Sequence, residues 1–97
     1  MAELMTDDQV TEALRALPSW SAQENALMRI VELKSFAEAI QVVNRVAEIA
    51  ENNDHHPDID IRWRTLTFRV STHSKGGVTA LDIGLATEID GVVEALG

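Results

Sequence analysis

Val10, Ala13, Leu14 and Leu17 recur at helical spacing behind Thr6-Asp7-Asp8-Gln9, a capping box that pairs an N-cap hydroxyl with an amide three residues on. Pro18 closes the run, so the pattern predicts a first helix over residues 7–16. Trp20-Ser21-Ala22 reads as a short strand and Gln23-Glu24-Asn25 as a polar turn. Beyond it, Leu27, Arg29, Val31 and Leu33 alternate with Met28, Ile30, Glu32 and Lys34. The alternation is imperfect, but the run is short and sits beside turn residues, which favours a strand.

Ser35-Phe36-Ala37-Glu38 repeats the capping signature and opens the longest helix. Phe36, Ile40, Val43, Ala47 and Ala50 form its apolar stripe, which Ala39, Val42, Val46 and Ile49 widen. A helix so equipped should lie flat on a sheet and end at Asn52 or Asn53. Pro57 then sends the chain into extended conformation. Ile59, Ile61 and Trp63 alternate with Asp60, Arg62 and Arg64, as in a half-buried strand. Leu66, Phe68 and Val70 alternate with Thr67, Arg69 and Ser71, making a second strand that ends at Thr72-His73. No Asn-Gly turn separates the two, and the boundary is placed near Arg64-Thr65.

Ser74-Lys75-Gly76-Gly77 reads as a flexible loop, and Thr79-Ala80-Leu81-Asp82 as a third capping signature. Ile83, Leu85, Ala86, Ile89, Val92, Val93 and Leu96 build the last amphipathic helix, weakened by Gly84 and Gly91. The order α-β-β-α-β-β-α predicts an α+β fold, with hairpin-paired strands and the helices on one face of the sheet. Both tryptophans are expected in packing positions, buried or at a rim.

Composition narrows the function classes. Ninety-seven residues, 45% apolar and 25% charged, suit one soluble globular domain spanning 1–97. A chain of this size buries roughly 60–65% of its unfolded surface, so modest stability is expected, and self-association would raise it. A formal charge of −8, with only eight unclustered Lys and Arg, argues against nucleic-acid binding. The absence of cysteine removes disulfides, thiol nucleophiles and cysteine-based zinc sites together. No signal peptide or membrane span is legible, and a cytoplasmic location is the expectation.

The histidines are grouped, not scattered. His55 and His56 follow the long helix, His73 follows the last strand, and Glu51, Asp54 and Asp82 stand nearby in sequence. Imidazole both donates and accepts protons near neutral pH, so facing imidazoles suit a dehydration. One would protonate a leaving hydroxyl while a second group removes the proton from the atom that becomes unsaturated. The carboxylates could orient an imidazole or hold amide-like N–H groups of a ligand.

Three other readings stand beside this one. The histidines could be a solvated turn and a strand end. They could ligate zinc, although adjacent His55 and His56 should point in different directions and no His-x-x-x-His pair is present. A Ser-His-Asp hydrolase could use Ser71 or Ser74, but no Gly-x-Ser-x-Gly elbow occurs, and Gly76-Gly77 lacks the companions of a phosphate loop.

The spacing Glu51-x3-His55-His56-Pro57-x5-Trp63-x9-His73-x8-Asp82 resembles the signature of the pterin-4a-carbinolamine dehydratases. The resemblance spans nearly the whole chain, from Trp20 through Phe36 to Asp82-x-x-Leu85-Ala86. It implies a four-stranded antiparallel sheet with three helices on one face, in homodimers or homotetramers. It also implies removal of water from 4a-hydroxytetrahydrobiopterin to give quinonoid dihydropterin, which recycles the cofactor of aromatic amino acid hydroxylases. No metal or organic cofactor is implied. Carried over by position, His55 and His73 would supply acid–base catalysis and His56 would contact the pterin. Glu51, Asp54, Thr72 and Asp82 would orient the imidazoles or bind the ring's N–H edge. Trp63 and Ile40 depart from the commoner tyrosine and phenylalanine, in what read as packing changes. Some relatives act instead as a dimerisation cofactor of a transcription factor or as assembly factors. A protein-binding module is therefore the alternative, though such members should have lost histidines and this chain keeps all three.

Overall fold

A computed structural model of the protein describes residues 3–96. Helix α1 (Asp7–Leu14) leads to strands β1 (Ser21–Gln23) and β2 (Ala26–Glu32). Helix α2 (Phe36–Asn53) is followed by β3 (Asp58–Arg62), β4 (Thr65–Val70), a 3-10 turn over His73–Lys75 and helix α3 (Ala80–Leu96). The strands form one antiparallel sheet in the order β1-β2-β4-β3, with the helices on one face, as the patterning predicts.

The register explains that face. Leu27 pairs with Val70, Arg29 with Phe68 and Val31 with Leu66, so these side chains all point toward the helices. Leu27, Leu66, Phe68 and Val70 are fully buried there against Ala39, Val42 and Val46 of α2 and Leu85, Ala86 and Ile89 of α3. Within the same layer, Asp90 of α3 accepts the Trp20 indole N–H at 2.8 Å and pairs with the Arg29 guanidinium of β2. The polar group on the inward face of β2 is thereby matched by a carboxylate across the layer.

Several expectations need correction. Helix α1 stops at Leu14, because residues 15–17 turn with i→i+3 hydrogen bonds ahead of Pro18. The buried stripe of α2 is Ala39, Val42, Val46 and Ala50; Phe36 is 51% exposed and Ala47 is exposed too. Its capping box is half made: Ser35 Oγ accepts from the Glu38 amide, while Glu38 Oε1 is buried without a partner. Strand β3 is not half-buried. It is an edge strand in which Ile59 alone is partly covered and Ile61 is 42% exposed. Trp63 is 69% exposed at φ 54°, on the first corner of a two-residue hairpin turn, with the Arg64 guanidinium 4.7 Å from its ring centre. The Ser74–Gly77 loop has local structure: a 3-10 turn over His73–Lys75 runs into it, enclosed by a Thr72–Gly77 bridge with Gly76 at φ 72°.

Candidate active site

Helix α2 ends in a Schellman arrangement. The His55 amide donates to Ala50 O at 3.1 Å and the Asp54 amide to Glu51 O at 3.3 Å, with Asp54 left-handed at φ 49°. Aspartate tolerates that conformation better than most non-glycine residues. The reversal turns the chain sharply, so that His55 faces α3 and His56 faces solvent. Across from it, the last residues of the β4 segment run into the Thr72–Gly77 bridge, and the 3-10 turn this encloses carries His73.

Between the two segments lies a cleft of about 260 Å³ lined by Asp54, His55, His56, Pro57, Asp58, Ser71, Thr72, His73 and Ser74. All three histidines therefore converge on one cavity from opposite sides, although the first and last stand 18 positions apart in sequence (73 − 55). Asp54 and Thr72 also reach it, and Asp58, Ser71 and Ser74 complete its wall. Asp58 was not among the expected site residues, and Ser71 and Ser74 entered only as candidate nucleophiles of the hydrolase reading. Asp58 adjoins Pro57 and the serines flank Thr72-His73, so proximity to the motif was the signal available.

Asp82 lies behind the cleft, in the first turn of α3. Its carboxyl group has no solvent exposure and makes three hydrogen bonds: Oδ1 with His55 Nε2 at 2.6 Å, and Oδ2 accepting from the Thr72 hydroxyl at 2.9 Å and from the Thr79 amide at 2.8 Å. The Thr79 bond belongs to the third capping motif, with the N3 acid reaching back to the N-cap N–H. Thr79 Oγ1 in turn accepts from the Leu81 amide at 3.2 Å. One carboxylate therefore starts a helix and anchors an imidazole that is itself only 12% exposed.

Glu51 stands apart. It points outward and meets His56 at 3.3 Å, with both side chains more than half exposed. Such a pair is worth well under about 1 kcal/mol. The arrangement thus has one imidazole locked by a buried acid, one on an exposed rim and one carried by a short turn opposite. Among the described residues no group of three or more His, Asp or Glu side chains is placed to hold a metal ion. None of the described helices is long and apolar enough to cross a membrane.

Comparison with known proteins identifies the family. The sequence profile of the family described as pterin 4 alpha carbinolamine dehydratase matches residues 3–92. A Mycobacteroides abscessus protein is 54% identical over 87 residues, covering 90% of this chain and 93% of its own. A Nocardia farcinica protein is 54% identical over 88 residues, covering 91% and 93%. Both carry a provisional designation as pterin-4-alpha-carbinolamine dehydratases. The crystal structure of a transcriptional coactivator/pterin dehydratase from Brucella melitensis superposes with a TM-score of 0.90 at 33% identity, over 93% of this chain and 98% of that one. A pterin dehydratase-like RuBisCO assembly factor of the alpha-carboxysome shares the fold alone, at TM-score 0.62 and 15% identity over 75% and 84% of the two chains. With most of its length matched and its histidines gathered in one cleft, this chain belongs to the pterin-4-alpha-carbinolamine dehydratase family.

Proposed function

We propose that the protein is a dehydratase acting on 4a-hydroxytetrahydrobiopterin, with His55 and His73 as the acid–base pair. The observation that carries this reading is the convergence of His55, His56 and His73 on one cleft, with His55 anchored to buried Asp82. One imidazole delivers a proton to the 4a-hydroxyl as the C4a–O bond breaks. The other takes the proton from N5, and the N–H electron pair becomes the C4a=N5 double bond. One water leaves and the quinonoid dihydropterin remains. Positioned proton transfer of this kind contributes about 10²–10⁴-fold. His56 and Asp54 line the cleft where the ring's polar edge would sit. Self-association into dimers or tetramers belongs to the same reading, since a chain this small gains stability from burying further apolar surface. The assay is the absorbance change as synthetic carbinolamine dehydrates with and without the protein. Acceleration over the spontaneous reaction is expected, and its absence overturns the proposal.

A second reading rests on the Brucella relative, which is described as a coactivator as well as a pterin dehydratase. A protein-binding role would sit on a surface away from the cleft. Affinity capture with wild type and a triple histidine variant tests it: a partner retained equally by both supports that role, and no retained partner removes it.

A further inference from the structure

With Asp82 ionised, and so able only to accept, the hydrogen bonds behind the cleft have one consistent direction. Thr72 has one hydroxyl proton, and it goes to Asp82 Oδ2 at 2.9 Å. The 2.7 Å contact between Thr72 Oγ1 and Thr79 Oγ1 therefore has Thr79 as donor and Thr72 as acceptor. The Thr79 oxygen is supplied in turn by the Leu81 amide at 3.2 Å. The chain runs from the Leu81 N–H through the Thr79 and Thr72 hydroxyls to Asp82 Oδ2, which also receives the Thr79 amide. Thr79 and Asp82 have no solvent exposure, and Thr72 has 6%, so bulk water has little access from which to reverse the order. With Oδ2 already receiving two donors, Oδ1 of the ionised carboxylate is the acceptor left for the imidazole 2.6 Å away, which puts the ring hydrogen on His55 Nε2. The neutral ring then has its lone pair on Nδ1.

We infer that Thr79 is a positioning residue whose hydroxyl, through Thr72 and Asp82, fixes His55 as the Nε2–H tautomer, making Nδ1 the atom that exchanges a proton with substrate. The inference deepens the dehydratase reading and rests on it for the word substrate. Its structural half stands independently. Thr79 is the helix N-cap as well, so a stability loss alone would not distinguish the role. The tautomer is the readout that a purely structural residue would leave unchanged.

The test is long-range ¹H–¹⁵N correlation of the histidine ring nitrogens in labelled protein, with the His55 signals assigned by their loss in His55→Gln. Wild type should show the Nε2–H form at His55. Thr79→Val, which keeps the shape and deletes the hydroxyl, should populate both tautomers and lower kcat roughly five- to tenfold with KM little changed. Thr79→Ser should restore both. An Nδ1–H tautomer in wild type overturns the inference, as does a Thr79→Val protein with the wild-type ring signature, whatever its kcat. If Thr79→Val does not fold, Thr72→Val interrupts the same chain beside the carboxylate: mixed tautomers at His55 support the inference, and the wild-type ring signature overturns it. Should the wild type show the Nε2–H form but no dehydration, the dehydratase reading fails and the tautomer assignment survives.

Discussion

Asp82 holds the imidazole of His55 at 2.6 Å although the two stand 27 positions apart in sequence. The acid is the N3 residue of a helix cap and the histidine is the exit residue of another helix's Schellman turn. Two helix ends are thus tied together by one charge-assisted hydrogen bond, and the cleft opens on its exposed side.

Asp82→Asn tests that tie. The amide keeps the volume but offers one acceptor oxygen where three donors need placing. Dehydration should fall by about 100-fold or more, because the ring loses its orienting partner. Unfolding free energy in urea should drop by about 2–4 kcal/mol, from unsatisfied buried donors. A variant with wild-type rate and stability would contradict the role given to the carboxylate.

His56 and Glu51 should behave differently. Their contact is solvent-exposed, so Glu51→Gln should leave stability within about 0.5 kcal/mol and kcat near wild type. His56→Ala should raise KM more than it lowers kcat, as expected for a residue on the cleft rim. Steady-state kinetics on both variants checks this.

The ion pair across the inner layer is structural. Asp90→Ala leaves Arg29 and the Trp20 indole without their shared acceptor, in a region where both charged side chains are largely buried. The expected loss is about 2–4 kcal/mol by denaturant titration, toward the low end because some exposure remains. The cleft is built elsewhere, so kcat of the folded fraction should hold.

Trp63 occupies a corner at φ 54°, where glycine is favoured. Trp63→Gly should be more stable than Trp63→Val by about 1–2 kcal/mol, since a β-branched residue is strained there. Equal thermal midpoints for the two would contradict this account of the turn.

These residues also show where sequence reading succeeds. Helix starts were legible because Thr6, Ser35 and Thr79 each stand three residues ahead of an acid or amide, and capping chemistry is local. Strand β4 was legible because its inward face is fully buried and so strictly alternates. Strand β3 was legible as a strand but its exposure was not, because an edge position leaves both faces open and its apolar residues mimic a half-buried pattern. The face of α2 was misjudged at Phe36, since helical spacing gives two neighbouring stripes and packing chooses the one through Ala39 and Val42. The grouping of histidines was visible as spacing. Thr79's contact with Thr72 was not, because it depends on how the Thr72–Gly77 bridge folds back on the cap.

The most direct test of the whole account compares His55→Ala and His73→Ala with wild type in the dehydration of synthetic 4a-hydroxytetrahydrobiopterin. Each variant should fold and should lose about 100-fold or more in rate. Rates for both variants indistinguishable from wild type would contradict the assignment of the cleft as the active site.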